Sequence, residues 1–410
     1  MVETNHSGGG VEALRRARRD GFTTHFVCKD PAEYSALLTS PVDECDRLHV
    51  VDTVDPEALT ALASELSTQS CCAVVAYDDV AIIPAAHLAE MLGISNAPTV
   101  RSTRTMRFKD ELRAALVDTP WETRHAVVDT DGATSPLGYP CVVKPTDGAG
   151  NYAVAVCFDD ADYVGALESI GDFASREYNR GYFPRDRALV EEFMRGEEYS
   201  AELVWSADSG GWELIGYTTK RHLSSAVPLE VEHIFPFVFD DDRGVRILEE
   251  LRAILGIIGV THTVVHVEFM VDLDAADAPV SIVEVNGRPA GGHINDLVEL
   301  VTGASLIDHH IAAATGTGVR PGIDAAVGAG TACAGIRFLV PEPGQTLREI
   351  ATPSDLDGLF SVSCVDTPFH VPVILNSDSR VGYAIASGPS PQSVRARLDR
   401  FVDSSRLTYA

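Results

Sequence analysis

The sequence predicts an α/β protein in which a small parallel α/β domain precedes a larger region with antiparallel strands. Three patterns support this prediction. Short apolar runs alternate with helical patterns over residues 22–105. A glycine-rich turn at residues 146–150 separates two apolar runs, and Asp208-Ser-Gly-Gly211 separates two more, which indicates two antiparallel hairpins. The 410 residues are enough for about two to three domains.

The first domain is predicted over residues 1–104. Apolar runs at 49–52 and 72–77 indicate buried strands, and apolar spacing of three and four residues indicates helices at 56–66 and 84–92. Thr53 or Asp55 is placed to cap the first of these helices, with Pro56 at its first position. Strands and helices that alternate in this way predict a Rossmann-like parallel sheet.

The second domain is predicted over residues 105–190 and the third over residues 191–410. The second contains a helix at 106–118, hairpin strands at 139–145 and 152–158 with a mobile tip, a helix at 161–170 and a strand that begins at 188. The third contains strands at 200–205, 212–218, 264–271, 280–285, 334–339, 371–374 and 383–386, and helices at 243–255, 297–314 and 391–401.

The charge of the chain excludes some partners. With 60 acidic and 32 basic residues, the formal charge is −28, which argues against a nucleic-acid or anionic-membrane partner. Only four basic residues are lysines, namely Lys29, Lys109, Lys144 and Lys220. An ammonium is a compact point charge that arginine does not replace at a tight phosphate site. The retained lysines therefore mark candidate sites, with chance retention as the alternative.

Targeting signals are not evident in the sequence. No run reaches the length of about 18 apolar residues that a membrane span needs. The eight cysteines are scattered and form no Cys-x-x-Cys pair, which predicts reduced, buried thiols. We expect a cytoplasmic protein.

A lysine at the end of a strand precedes the glycine-rich turn. Lys144 ends the run from Tyr139, and the turn that follows contains Gly148 and Gly150. An ammonium and several backbone N–H groups in such a loop can surround phosphate oxygens. The alternative is a hairpin turn with only a structural role.

Two predicted neighbouring strands carry oxygen ligands. Glu268 lies on one, and Glu284 and Asn286 lie on the other, on one face because they are two residues apart. Two carboxylates and an amide oxygen suit Mg²⁺ or Mn²⁺ shared with substrate phosphates. The alternative is a pair of solvent-facing strand carboxylates.

In chain order these motifs resemble the ATP-grasp superfamily. The resemblance covers about residue 104 to the C-terminus and includes the segment Glu191-Glu-Phe-Met-x-Gly-x-Glu198. It implies a two-lobed ATP-grasp fold of the α+β type after the Rossmann-like domain, with an antiparallel sheet in the C-terminal lobe. Phe108 departs from the aspartate that is usual before the first lysine.

The resemblance also implies the cofactors and their binding residues. ATP would be bound under a lid that contains Gly148 and Gly150, and the metal would be held by Glu268, Glu284 and Asn286. The roles implied for the other residues are α- and β-phosphate contacts for Lys109 and Lys144, the adenine amino group for Glu191, the ring edge for the backbone of Glu192 and Met194, and ribose for Glu198.

Within the superfamily, the segments around His266, Glu284 and Pro228-Leu-Glu230-Val-Glu-His233 are similar to the L-amino-acid ligases of the bacilysin type. This resemblance implies an ATP-dependent ligase that joins two amino acids by an amide bond through an acyl phosphate, with release of ADP and phosphate. The implied catalytic residues are Arg288, Lys144, Glu230 and His233. The implied substrate-binding residues are Arg288, Gly291, Gly292, Glu230, His233 and Lys220. The amine's proton could go to His233, Glu230 or His266.

Other readings of the sequence stay open. A ligase for a non-α-amino acid or a γ-carboxylate in secondary metabolism fits the same motifs. A nucleotide-binding regulator without catalysis is less expected, because the predicted metal-binding and phosphate-binding residues are intact. A biotin-dependent carboxylase is less expected because the 410 residues show no carrier segment. The expected partners are small amino-acid, amine or carboxylate substrates. A homodimer is compatible with the resemblance, since relatives are often dimers.

Overall fold

The computed structural model describes residues 1–4, 9–35, 37, 39–174, 187–224, 228–240, 242–275, 278–317, 332–353, 358–373 and 376–410. The first region contains β1 (Val2–Thr4), α1 (Gly9–Arg19), β2 (His25–Cys28), α2 (Pro41–Glu44), β3 (Arg47–Val50), α3 (Pro56–Leu66), β4 (Ala76–Tyr77) and α4 (Ile82–Met91). Its strands form a parallel sheet in the order β3-β2-β1-β4, as the alternating pattern predicts. Asp55 caps α3, because its side chain accepts from Glu57 N.

The central region carries the predicted glycine-rich hairpin. Its elements are α5 (Val100–Arg107), α6 (Lys109–Ala115), β5 (His125–Val128), β6 (Cys141–Pro145), β7 (Ala155–Cys157), α7 (Asp160–Ala174) and β8 (Ala188–Glu192). The strands form an antiparallel sheet in the order β5-β8-β6-β7, and α7 covers one face with Leu167 and Ile170. The hairpin β6–β7 therefore lies at an edge of this sheet, with its tip extending from it.

A long antiparallel sheet forms the third region. The elements are β9 (Glu197–Ser206), β10 (Gly211–His222), β11 (Glu230–Phe237), α8 (Arg243–Ile258), β12 (Val264–Val271), β13 (Ser281–Asn286), α9 (Ile294–Thr302), α10 (Leu306–Thr315), β14 (Cys333–Leu339), β15 (Thr346–Ala351), β16 (Leu359–Cys364), β17 (Phe369–His370), β18 (Gly382–Gly388), α11 (Pro391–Ser404) and β19 (Arg406–Tyr409). Among the described strands, the order of the long sheet is β13-β12-β9-β10-β11-β14-β18-β16, and β17-β15-β19 form a smaller one.

The helices bury the apolar faces of this sheet. Leu112 of α6 and Leu251 and Ile254 of α8 pack in one core with Phe269 and Val285 of the sheet. The helix α9 packs against β11 and β14, and α11 packs against β14 and β18. The other face of strands β9–β13 lines a cavity beneath the central hairpin.

The predicted helix 106–118 is wrong at its start. The chain forms two helices, α5 and α6, which are separated by Phe108 in an extended conformation with φ −100° and ψ 113°. Lys109 N donates to Thr146 O at 2.8 Å, beyond the end of β6. The apolar residues keep helical spacing across Phe108, so the pattern predicts one continuous helix. The bond that interrupts it is made with Thr146, which is distant in the sequence.

Other predicted elements also differ from the structure. The strand predicted at 72–77 is limited to Ala76–Tyr77, and the strand predicted at 152–158 is limited to Ala155–Cys157. The helix predicted at 297–314 is divided into α9 and α10 at Gly303, which has φ +73° and ends α9 in the left-handed conformation. The strand predicted at 371–374 is absent over the described residues 371–373, and the short strand β17 ends at His370 before it; Ile374 lies outside the described residues. Strand β11 was not predicted as a strand, although its segment supplied candidate site residues.

The domain boundaries stay predictions. The boundary after residue 104 lies within the helix α5, and the boundary after residue 190 lies within the strand β8. Strand β8 is a central member of the hairpin sheet. Among the described residues, no helix is long and apolar enough to cross a membrane.

Candidate active site

One cavity of about 1030 Å³ lies between the central hairpin and the long sheet. Its wall contains every residue that the sequence singled out for ATP, metal, substrate or catalysis. These are Lys109, Lys144, Gly148, Gly150, Glu191, Glu192, Met194, Glu198, Lys220, Glu230, His233, Glu268, Glu284, Asn286, Arg288, Gly291 and Gly292. The fold thus brings together motifs that are up to 183 positions apart in the chain, although their individual roles stay predictions.

The two predicted phosphate lysines lie at one end of this cavity. Lys109 begins α6, where its Nζ donates to Gly148 O at 2.7 Å and lies 2.8 Å from Glu284 Oε2. Lys144 lies on β6 with its Nζ 2.6 Å from Glu191 Oε2. Both ammonium groups are therefore held by carboxylates near the hairpin, and their role in binding phosphate stays a prediction.

Glu191 is more deeply engaged than the sequence suggested. Its side chain is 2% exposed, and its oxygens lie 2.5 Å from Arg113 Nε and 2.6 Å from Lys144 Nζ. Burial opposes ionisation, but Arg113 and Lys144 lower the pKa of Glu191 to about 2. A contact with an adenine amino group would have to share an oxygen with one of these cations, so that role stays a prediction.

The predicted metal ligands lie opposite each other on β12 and β13. Glu268 is the register partner of Glu284, and Asn286 pairs with His266. Glu284 accepts from Lys109 and from Asn286 Nδ2, and Glu268 accepts from Lys220 and from His266 Nε2. Burial disfavours both charges, but Lys109 holds the pKa of Glu284, and Lys220 that of Glu268, below the ordinary range. Two ionised carboxylates and an amide oxygen on one wall fit a divalent cation of the Mg²⁺ type.

Lys220 forms the centre of a carboxylate cluster. Its Nζ lies 2.7 Å from Glu230 and 3.6 Å from Glu198, and it also contacts Glu268. Burial opposes its charge, but these carboxylates raise the pKa of Lys220 well above the ordinary value. Ligand atoms of Glu198, His222 and Glu230 lie within 4.8 Å of one another. The Lys220 ammonium lies among these ligand atoms, and we assign no metal to this cluster.

The remaining end of the cavity carries the predicted substrate residues. His233 Nε2 lies 3.2 Å from Glu230 Oε2, and burial lowers the pKa of His233 despite this carboxylate. Gly292 has φ +58°, and a Cβ there would lie 3.1 Å from His233 Nε2. His266 differs from His233, because both its nitrogens bond to carboxylates, Glu202 at 2.8 Å and Glu268 at 2.9 Å. Of the two, His233 is the imidazole in a position to accept a proton.

Sequence reasoning missed three residues that join this site. Asp79 binds Arg288 through both carboxylate oxygens, Nε to Oδ1 at 2.7 Å and Nη2 to Oδ2. Asp79 follows β4, and the carboxyl end of a parallel strand is a known place for ligand-binding side chains, so this signal was present. Arg113 and Arg380 were assigned no role from the sequence, because the carboxylate and the ring that they contact are distant in the chain.

The sequence is similar to a known domain family and to known proteins. Residues 137–296 match the model of the ATP-grasp domain. The chain is similar to the uncharacterised protein y4rH of Sinorhizobium fredii, at 26% identity with 98% of this chain and 81% of that protein covered. It is similar to the formate-dependent phosphoribosylglycinamide formyltransferase of Burkholderia mallei, at 25% identity over 89% of this chain and 86% of the relative.

A solved structure shares the whole fold. The L-amino acid ligase from Bacillus licheniformis superposes with a TM-score of 0.76 at 17% identity, and the match covers 100% of this chain and 98% of that one. The domain match and this structural similarity agree with the predicted ATP-grasp fold. The match to the ATP-grasp domain covers residues 137–296 of the 410 residues, and the similarity to solved structures extends the shared fold to the whole chain.

Proposed function

We propose that the protein joins the carboxylate of one amino acid to the amine of another, through an acyl phosphate, with conversion of ATP to ADP and phosphate. One observation carries this proposal. A single cavity holds two lysines beneath a glycine-rich hairpin, a set of oxygen ligands, and an arginine with a histidine of lowered pKa beside a glycine pair. These are the parts that activation of a carboxylate and attack by an amine require.

The lysine end of the cavity is suited to ATP. Lys109 and Lys144 would bind its phosphates, the backbone of Glu192 and Met194 its ring edge, and Glu198 its ribose. Glu268, Glu284 and Asn286 would hold Mg²⁺ or Mn²⁺. When bound, the metal neutralises charge on the β- and γ-phosphates.

The chemistry activates a poor electrophile. A carboxylate oxygen of the acid substrate attacks the γ-phosphorus, the bond to the β-phosphate oxygen breaks, and ADP leaves with the electron pair. The amine then attacks the carbonyl carbon of the acyl phosphate, and inorganic phosphate leaves. Lys144, Arg288 and the N–H groups of Gly291 and Gly292 would stabilise the negative charge that develops on oxygen.

The amine must lose a proton before it attacks. His233 has a lowered pKa because it is buried, so it is neutral near pH 7 and can accept that proton. Glu230 is held by both His233 and Lys220, so it can orient the imidazole and stabilise its charged form. We propose His233 as the base and Glu230 as its partner.

The hairpin tip would exclude water from the acyl phosphate. Gly150 O accepts from Ser377 N at 3.2 Å, Asn151 Nδ2 donates to Pro228 O at 3.1 Å, and Tyr152 Oη donates to Asp378. These bonds attach the tip to loops of the third region and hold it over the cavity. A closed tip protects a reactive intermediate from hydrolysis.

A second candidate function differs from the first in its acid substrate. The relative from Burkholderia mallei is named for formate, so an acid other than an α-amino acid, or a γ-carboxylate, is the second candidate. Both candidates use the same steps and differ in the product.

The test is a screen of amino-acid pairs, and of other carboxylic acids paired with the same amino acids, with ATP and Mg²⁺. It is read by phosphate release and product mass. We expect one or more pairs to release phosphate and to form a product with the mass of the two substrates less water. Phosphate release only with a non-amino acid would favour the second candidate. Nucleotide binding without release of phosphate from any pair would refute the ligase proposal.

A further inference from the structure

A second guanidinium group lies in the wall of the cavity, on the turn before β18. Arg380 Nε donates to Ser377 O at 2.8 Å, and its guanidinium carbon lies 4.1 Å from the centre of the Phe338 ring. Its Nη1 is buried and has no hydrogen-bond partner, and it forms no ion pair with any carboxylate of the described residues. The group is thus held by Ser377 and Phe338, and its buried Nη1 is left without a hydrogen-bond partner.

Arg288 differs in this respect. Two of its nitrogens bond to the carboxylate of Asp79, and Nη1 donates to Pro289 O at 2.9 Å. A substrate carboxylate at Arg288 would have to compete with Asp79. Arg380 is the cavity arginine whose charge meets no such competitor among the described residues.

An unused donor on a buried cation is costly. A buried polar group without a partner loses its hydration and receives nothing in return, and the loss is larger for a charged group. Burial lowers the pKa of Arg380, and the field of Glu230 opposes this only in part. A guanidinium stays charged at neutral pH in any case, so an anionic ligand would relieve the cost.

The position of Arg380 indicates which substrate would supply the anion. Phe338 contacts both Arg380 and His233, whose ring centre lies 5.7 Å from that of Phe338. His233 is the proposed base for the amine. The α-carboxylate of an amino acid is two bonds from its amine, so an amine beside His233 places that carboxylate on the same wall. The acid substrate's carboxylate must instead face the phosphate end.

We propose that Arg380 binds the unreacted α-carboxylate of the amine substrate and thereby selects amino acids over simple amines. This inference rests on the proposed ligase function and names the substrate class at its amine end. A planar guanidinium suits a carboxylate because its N–H groups match the two oxygens.

The test compares each L-amino acid with its amide as the amine substrate. The acid substrate, ATP and Mg²⁺ are held constant, and phosphate release and product mass are measured for the wild-type protein, Arg380→Met and Arg380→Lys. Arg348→Met, an exposed arginine on β15 outside the cavity, is the matched control. Thermal melting reports whether each variant is folded.

We expect the wild-type protein to use free amino acids at least about tenfold better than their amides, the ratio typical for loss of a hydrogen bond to a charged group. Arg380→Met should reduce kcat/KM for free amino acids to the value for amides and leave the amides unaffected. Arg380→Lys should restore part of the preference, and Arg348→Met should match the wild type.

Other results would overturn the inference. Equal use of acids and amides by the wild-type protein would refute it without any variant, and so would an equal loss for both substrates in Arg380→Met. A wild-type protein that releases phosphate with no pair would refute the ligase function itself, which the first two results leave intact.

Discussion

Glu191 offers a strict test of how the site is held together. The change Glu191→Gln preserves the size and shape of the side chain and removes its charge. Arg113 and Lys144, which are 1% and 5% exposed, would then be buried cations without their shared carboxylate. We expect a large loss of stability in the unit that contains the central sheet.

The size of the loss can be worked out in two ways. The pKa of Glu191 falls from 4.5 to about 2 in the folded protein, and each pKa unit corresponds to about 1.4 kcal/mol, which gives about 3 kcal/mol. Removal of one partner from a buried ion pair costs about 3–5 kcal/mol in other proteins. Both routes predict that Glu191→Gln lowers the free energy of unfolding by about 3 kcal/mol at pH 7.

The dependence on pH has a definite sign. The folded pKa is lowered, so the stabilisation is fully present above pH 4.5 and is lost as the pH falls towards 2. Below pH 4 the difference between the wild-type protein and Glu191→Gln should shrink, because the wild-type carboxyl gains a proton as well.

Urea unfolding followed by circular dichroism measures the loss, and the next residue provides the control. Glu192 pairs with Arg124 at 2.9 Å, but their side chains are 36% and 67% exposed. An exposed pair contributes about 0–1 kcal/mol, so Glu192→Gln should change stability little. Equal losses in the two variants would refute the reasoning that burial makes the Glu191 network strong.

Three further changes test the catalytic parts. Glu284→Ala should lower ADP formation by about two orders of magnitude or more in a folded protein, because a metal ligand is lost; wild-type turnover in a coupled ADP assay would contradict the metal assignment. Asp79→Asn should lower kcat/KM for the substrates about tenfold, because Arg288 loses its charged partner, with KM for ATP unchanged; a change confined to ATP would place Asp79 elsewhere. Tyr152→Phe should raise ATP hydrolysis without amine about twofold to fivefold, because the hairpin tip loses its bond to Asp378; an unchanged rate of phosphate release would separate this bond from water exclusion.

Local patterns in the sequence were sufficient for much of the fold. The helix Pro56–Leu66 and the strand Val264–Val271 begin and end at the predicted residues, because apolar spacing and caps are encoded by neighbours in the chain. The break at Phe108 was not predictable, because it depends on a bond from Lys109 N to Thr146 O across the fold.

The site divides in the same way. The sequence by itself was sufficient to predict the candidate lysines, the glycine-rich hairpin and the two strands that carry Glu268 and Glu284. Each of these is a short motif whose residue types indicate its chemistry. Only the tertiary structure brought Asp79 to Arg288, 209 positions away, and left Arg380 beside Phe338 with an unused donor. The physical reason is that the interaction energy of two charges depends on their separation and on their burial. Both are set by packing between elements that are distant in the sequence, and a local pattern does not contain that information.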